Sequence, residues 1–216
     1  RKYTVTRQEQ DQYAYQSYLK TYKAQKNKYF KNELIKSDYK DQVRSDTTLS
    51  KLSQLKAAFK KTGTVTAGNA SSLNDGAAFL VLASSDYIKT NKIKPLAKVL
   101  DWSASAGNPD YMGVTPITAI QKLMKKMSVK IGFFDLIEIN EAFAATSVAV
   151  QRSLKIDPNK LNIVGGAIAL GHPIGCSGTR MLTTLAHQLK RTNQKFGIAS
   201  MCIGGGQGLA MAIERL

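Results

Sequence analysis

The stretch GGAIALGHPIGCSG, Gly165 to Gly178, places five glycines, one proline and one of the chain's two histidines on a single connection. Glycine and proline both weaken helix interiors and central strands, so regular secondary structure is not expected throughout this stretch. It is predicted to be either an elaborate turn or a place where the backbone comes very close to a ligand. The elements on either side of it indicate the fold.

Strands and helices alternate around this stretch. Strands are predicted from short apolar runs at Phe79–Leu82, Leu96–Ser103, 134–140 and 161–166, and as a closing hairpin around Gly204–Gly206. Helices are predicted from apolar spacing and caps after Thr6–Glu9, within Leu52–Phe59, at Tyr87 and Ile88, and at 115–127, 141–154 and 177–191. This alternation predicts an α/β fold, with a layered sheet, right-handed crossovers and a final antiparallel pair.

The first 73 residues differ from the rest in texture. Tyr15, Tyr18, Leu19 and Tyr22 lie at helical spacing and predict one apolar stripe on the first helix. The stretch that follows is polar and rich in turn residues. We therefore predict a loop-rich cap with one good helix rather than a compact core.

Composition excludes several classes of protein. No run reaches the roughly 18–20 apolar residues of a membrane span, and the N-terminus lacks the apolar core of a signal peptide, so membrane insertion is not expected. Two cysteines, Cys176 and Cys202, form no disulfide framework and favour a reducing intracellular compartment. Because the chain begins with Arg1 rather than Met, we expect a processed, trimmed or incomplete polypeptide.

The net charge of +16 admits more than one interpretation. A lysine-rich solvated surface is favoured, because the lysines are spread along the chain. A phosphorylated small ligand also fits. A nucleic-acid partner is not expected, because no RNP, zinc-finger or helix-turn-helix motif accompanies the charge.

Three glycine-rich or turn-like junctions carry polar side chains: Asn140–Ala144, Gly171–Gly175 and Cys202–Gly206. In open α/β sheets, ligand sites gather where strands end and loops lead into helices. Each junction also has an ordinary structural interpretation. Asn140 is a plausible helix N-cap, His172 a turn residue, Cys202 a buried small hydrophobe and Gly204–Gly206 a hairpin turn.

Taken together, the three junctions favour chemistry over structure. Histidine and cysteine exchange protons near neutral pH, and successive glycine N–H groups form an anion-receptive nest. A Cys–His pair with N–H donors is suited to acyl transfer through a thioester and an oxyanion. A zinc site is not expected, because there are only two cysteines and the spacing is not that of metal ligands.

The blocks NEAFA, GGAIALGHPIGCSG and CIGGGQG, in this order and spacing, resemble the C-terminal signature blocks of the thiolases. TVTAGNASSLNDGAA is similar to the thiolase segment that leads from the loop domain back into the core. The resemblance implies a thiolase-like layered α/β/α/β/α fold, here its C-terminal half with a loop-domain segment. It places residues 1–73 in the loop domain, 74–93 in the tail of the N-terminal domain and 94–216 in the C-terminal domain.

The resemblance also implies an activity and a set of site residues. Thiolases interconvert a 3-ketoacyl-CoA plus CoA with two shorter acyl-CoAs through an acyl-cysteine, so coenzyme A is a substrate and no covalently bound cofactor is expected. His172 would activate the nucleophilic cysteine, Asn140 would hold an oxyanion-hole water, Cys202 would be the acid/base and Gly204 N–H would serve a second oxyanion hole. The residues implied along the CoA path are Ser71, Ala67, Phe59 and Phe143.

One departure from the family pattern bears on function. The family's nucleophilic cysteine lies in the N-terminal half, and Cys176 sits at a position where the family varies. We therefore expect part of a longer thiolase chain, a split thiolase whose N-terminal half is a separate polypeptide, or a non-catalytic structural subunit or CoA-binding module. GHPIG with CIGGGQG favours the acetyl-CoA acetyltransferase type. A dimer or tetramer, in a mitochondrial matrix or a bacterial cytoplasm, is also expected.

Overall fold

The computed structural model describes residues 2–35, 41 and 43–216, so part of the polar, turn-rich stretch predicted after the first helix lies outside the described residues. The helices are α1 (Arg7–Lys26), α2 (Leu49–Ser53), α3 (Ser85–Thr90), α4 (Pro116–Met127), α5 (Ala144–Leu154), α6 (Ala167–Leu170) and α7 (Ser177–Arg191). The strands are β1 (Ala97–Ala106), β2 (Leu136–Ile139), β3 (Phe196–Ile203) and β4 (Gln207–Arg215). Short 3-10 turns lie at Pro109–Val114 and Ile131–Phe133.

The four strands form one mixed sheet in the order β1-β4-β3-β2. β2 runs parallel to β3, whereas β3 and β4 form the predicted closing hairpin and β4 pairs antiparallel with β1. Helices α4 and α5 cover one face through a core that includes Leu123, Val150 and Ile198. Helix α7 packs on the other face through residues such as Leu185 and Leu189. The predicted α/β layering is confirmed.

Helix α1 begins at the predicted capping box. The Thr6 hydroxyl accepts from the Glu9 N–H, and the Glu9 carboxylate accepts from the Thr6 N–H. The predicted tyrosine stripe is only partly correct, because Leu19 and Tyr22 are exposed. The buried face instead combines Tyr18 with small and polar residues, namely Ala14, Ser17, Thr21 and Ala24. Small side chains let α1 lie close to α5 and α6.

Three sequence predictions of regular structure are wrong. Phe79–Leu82 forms no strand and is exposed, with Val81 at 95%, because no neighbouring strand among the described residues offers it a partner. Residues 161–166 form no strand and make only two isolated bridges, Leu161 with Ile137 and Ile163 with Gly165. The helix predicted within Leu52–Phe59 is also wrong, because α2 covers Leu49–Ser53 and so ends near the start of that range. Within the part of the chain that the structure describes, no helix is long and apolar enough to cross a membrane.

Candidate active site

Asn140 and His172 meet although they are far apart in sequence. β2 ends at Ile139, and the Asn140 N–H donates to Ser200 O at 3.0 Å, which continues the pairing with β3. The Asn140 amide nitrogen Nδ2 then lies 3.2 Å from His172 Nε2. Asn140 is not an N-cap, because the residue that caps α5 is Phe143. Among the described residues nothing bonds to the buried Asn140 Oδ1.

His172 is held from two sides. The sequence predicts a strand before His172, but the structure has the short helix α6 there. The His172 N–H donates to Ser72 O at 3.0 Å. Its ring atom Nδ1 lies 2.6 Å from the Ser177 hydroxyl. Burial lowers the pKa of His172, and the positive charge of Arg180 lowers it further. The ring is therefore a neutral imidazole near physiological pH.

The glycines of this connection permit close approach to neighbouring segments. At Gly165 φ is +78°, and a Cβ there would lie 1.9 Å from Thr21 Oγ1 on α1. At Gly171 φ is +93°, and a Cβ would lie 2.2 Å from Asn74 Oδ1. Both positions favour glycine through conformation and space. The connection therefore packs between α1 and residues 72–74, and it carries His172.

The Glu141 carboxylate is a second anchor, which the sequence analysis did not single out. Its Oε2 accepts from Ser17 Oγ at 2.6 Å and from Ile168 N at 3.1 Å. Its Oε1 accepts from Asn162 Nδ2 at 2.9 Å and from Tyr13 OH at 3.2 Å. One buried carboxylate therefore ties α1 and α6 to the end of β2. The only local signal was a glutamate directly after Asn140.

Cys202 lies at the end of β3, where its side chain is buried. Burial raises the pKa of the Cys202 thiol, which favours the protonated form near neutral pH. The glycine turn that follows is docked on another loop, because Gly107 N–H donates to Gly206 O at 2.9 Å. Gly204 is exposed and has free space beside its Cα. Among the described residues no hydrogen bond joins Cys202 to His172.

Of the four residues expected along a CoA path, Phe59 and Ala67 are exposed, and Ser71 and Phe143 are partly buried. Ser71 donates to Ala142 O through both its N–H (3.1 Å) and its hydroxyl (3.0 Å), which fixes its segment against the NEAFA block. Phe59 packs edge-to-face on Phe143 with ring centroids 6.1 Å apart, yet remains 72% exposed. Ala67, which lies between Phe59 and Ser71 in the sequence, is exposed on a turn. An aromatic pair with one uncovered ring is suited to a flat or apolar ligand.

Arg180, on α7, lies near two carboxyl groups that have buried oxygen atoms, those of Glu138 and Glu33. Its guanidinium Nη1 lies 3.9 Å from Glu138 Oε2, too far for a hydrogen bond. Burial raises the pKa of Glu138 to about 8 and that of Glu33 to about 7, and the positive charge of Arg180 opposes both shifts. The charge of one arginine therefore favours the ionised form of both carboxyl groups. No local pattern predicts this cluster, because its members are far apart in the sequence.

No metal centre is evident in the described ranges, where no group of three His, Cys, Asp or Glu side chains is placed to hold an ion. The polar and titratable side chains at the three junctions are the neutral His172, the buried Cys202 thiol and the amide of Asn140. Together they provide a proton acceptor, a proton donor and a polar group with an unused oxygen.

Comparisons with known proteins find matching family models and similar sequences. Residues 93–215 match the family model for the thiolase C-terminal domain, and residues 1–86 match that for the thiolase N-terminal domain. A probable acetyl-CoA acyltransferase of Staphylococcus aureus is 46% identical over 99% of this chain and 57% of its own length. The mitochondrial 3-ketoacyl-CoA thiolase of Rattus norvegicus is 42% identical over 99% of this chain and 56% of its own length.

Solved structures of similar proteins superpose on the whole of this chain. An acetyl-CoA acetyltransferase of Bacillus anthracis superposes with a TM-score of 0.95 at 44% identity, over 100% of this chain and 57% of that protein. The human mitochondrial 3-ketoacyl-CoA thiolase in complex with CoA has a TM-score of 0.92 at 40% identity, over 100% of this chain and 56% of that protein. The chain therefore spans somewhat more than half the length of these relatives.

Proposed function

The chain belongs to the thiolase family, and from this premise we propose that it supplies the histidine and acid/base half of a thiolase active site. The reaction is the reversible thiolytic cleavage of a 3-ketoacyl-CoA by CoA, or its reverse, the condensation of two acetyl-CoA molecules to acetoacetyl-CoA. The names of its relatives, acetyl-CoA acyltransferase and 3-ketoacyl-CoA thiolase, support this reaction class.

The observation that carries the proposal is the pair of Asn140 Nδ2 and His172 Nε2, 3.2 Å apart, beside the unpartnered Asn140 Oδ1. In the proposed mechanism, neutral His172 takes the proton of a cysteine thiol, and the thiolate attacks the keto carbon of the substrate. The imidazolium then donates its Nε2–H to an oxygen of the thioester. Asn140 holds the water that completes this oxyanion hole.

Cys202 handles the other proton of the reaction. Cleavage of the bond between the α-carbon and the keto carbon leaves the acetyl-CoA half as an enolate, which takes its proton from the Cys202 thiol. In condensation the Cys202 thiolate removes that proton again. Burial favours the protonated thiol, as a proton donor to an enolate requires. Gly204 N–H is proposed as a donor to the acyl-enzyme oxygen, supported by its position two residues beyond Cys202.

Coenzyme A is proposed to bind over Ser71, Ala67, Phe59 and Phe143. The exposed ring of Phe59 and its contact with Phe143 support a pantetheine or adenine contact there. The net charge of +16 favours a ligand that carries phosphates. The human relative has been solved with CoA bound.

The nucleophilic thiol is proposed to come from the N-terminal half of the thiolase fold, in the same or a separate polypeptide. The partial coverage of the relatives and the exposed apolar run Phe79–Leu82 support a missing covering part. A dimer or tetramer is proposed for the assembled enzyme. Because its relatives are bacterial and mitochondrial, we also propose the bacterial cytoplasm or the mitochondrial matrix as its location.

Two measurements test the proposal. The first is intact mass and peptide mapping of the native protein with iodoacetamide: an upstream or co-purifying cysteine that labels supports the enzyme, and its absence indicates a non-catalytic subunit. The second is thiolysis of acetoacetyl-CoA by that protein and its His172→Ala variant. The matched control is His187→Ala, which removes the other histidine, on α7. Equal rates for both variants would refute the role of His172.

A further inference from the structure

We propose that Ser177 is a positioning residue that fixes the tautomer of His172, placing the ring proton on Nδ1 and leaving Nε2 as the free base. Ser177 is the first residue of α7 and 1% exposed. Its hydroxyl oxygen lies between His172 Nδ1 at 2.6 Å and Pro173 O at 3.0 Å. This inference rests on the proposed function, because it concerns how His172 acts as a base there.

The direction of each hydrogen bond follows from what the partners can do. A hydroxyl carries one proton, and a carbonyl oxygen only accepts, so Ser177 donates to Pro173 O. The same oxygen then accepts from His172, which requires the proton to be on Nδ1. On the opposite side of the ring Asn140 presents its amide Nδ2–H to Nε2. The two contacts agree on one tautomer.

The main-chain geometry keeps Ser177 in place. Its own N–H donates to Pro173 O at 2.9 Å, so the turn that carries the hydroxyl is closed by the backbone as well. His172 is fixed independently by the bond from its N–H to Ser72 O. The ring is therefore held between two anchored groups, and rotation would break the short contact with Ser177.

This arrangement matters for both halves of the proposed proton cycle. Nε2 must be unprotonated to take the proton of the attacking thiol, and it must then present that proton to the thioester oxygen. The Nδ1–H to Ser177 bond is kept in both states, because neutral and protonated His172 both carry a proton on Nδ1, whereas the bond from Asn140 Nδ2–H to Nε2 exists only while Nε2 is unprotonated. The same nitrogen thus serves as base and then as donor without reorientation of the ring.

Nuclear magnetic resonance of the full protein, labelled with ¹⁵N-histidine, tests the inference directly. At about pH 8, above the ordinary histidine pKa of about 6.5, the ¹⁵N shifts show which ring nitrogen carries the proton. Resonances of His172 are assigned by their loss in His172→Asn. We expect Nδ1–H in the unaltered protein and a shift towards Nε2–H in Ser177→Ala. An Nε2–H tautomer in the unaltered protein would overturn the inference, whether or not the variant folds.

Ser103→Ala is the matched control. The Ser103 hydroxyl is also buried and donates to a carbonyl, Ala119 O at 2.6 Å, but it has no histidine partner. We expect Ser103→Ala to keep the Nδ1–H tautomer and Ser177→Ala to lose it. In thiolysis Ser177→Ala should lower kcat/KM about 10- to 100-fold, less than the roughly 10²–10⁴-fold of a whole general base. An unchanged tautomer in Ser177→Ala would refute the positioning role. A protein with the expected tautomers but no thiolase activity would refute the proposed function alone.

Discussion

Gly165→Ala tests whether the connection that carries His172 is held tightly against α1. The residue has φ of +78°, which L side chains rarely adopt. An added Cβ would lie 1.9 Å from Thr21 Oγ1, 2.6 Å from Ser17 O and 3.0 Å from Thr21 N. Two of these three atoms belong to the helix backbone, so rotation of one side chain does not relieve the overlap.

The expected cost combines two effects. A left-handed conformation costs a residue with a Cβ roughly 1–2 kcal/mol, and overpacking of a dense site costs typically about 1–3 kcal/mol. Together they predict a loss of roughly 2–5 kcal/mol in the free energy of unfolding. If α1 moves away to relieve the overlap, Ser17 also loses its contacts with the Gly166 N–H (3.2 Å) and with Glu141. The site should then lose activity as well as stability.

Chemical denaturation of the full protein, with Gly175→Ala as the control, measures this effect. Gly175 belongs to the same connection, but a Cβ there meets no atom within 4 Å and its φ lies outside the left-handed region. The control should change the free energy of unfolding by less than about 0.5 kcal/mol. Equal effects from the two substitutions would show that α1 does not pack on Gly165 as described.

Three further predictions follow from the site. His172→Ala should lower thiolase turnover by at least about 10²–10⁴-fold with little loss of stability, measured by thiolysis and denaturation. Phe59→Ala should raise the KM for CoA about three- to tenfold with kcat nearly unchanged, because it removes an aromatic contact worth about 0.5–1.5 kcal/mol, and an unchanged KM would argue against CoA contact there. Burial raises the pKa of Glu138 from 4.5 to about 8, so the folded state retains a proton that the unfolded chain releases, and stability should fall as pH rises through that window. Glu138→Gln should flatten this dependence in denaturation at a series of pH values, and an unaltered slope would contradict it.

Elements with strong local signals could be predicted from the sequence. The capping box at Thr6 fixes where α1 begins, and Pro116 with its apolar spacing fixes α4. The closing hairpin follows from two apolar runs around three glycines, and the structure confirms it as β3 and β4. In each case the information lies within a few neighbouring residues, where backbone preferences and apolar periodicity act.

Phe79–Leu82 shows the limit of that reasoning. Its apolar, strand-like composition is real, but a strand also needs a neighbour to satisfy its N–H and C=O groups, and that neighbour is a long-range feature. The described residues provide none, and Val81 is 95% exposed. Local pattern therefore predicts the propensity of such a segment, whereas pairing depends on the rest of the fold.

The candidate site depends both on local sequence signals and on long-range contacts. The sequence predicts Asn140 and His172 as candidate site residues, since polar residues stand at glycine-rich junctions. Neither the partner of each ring nitrogen nor the contacts of Glu141 follow from spacing. Ser17, Asn162 and Ile168 reach one carboxylate from three separate segments, and only the folded chain brings them together. Because a buried carboxylate is stable only when its donors are all in place, moving α1 removes support from both β2 and α6 at once. The position of His172 consequently depends on a helix about 150 residues earlier in the chain.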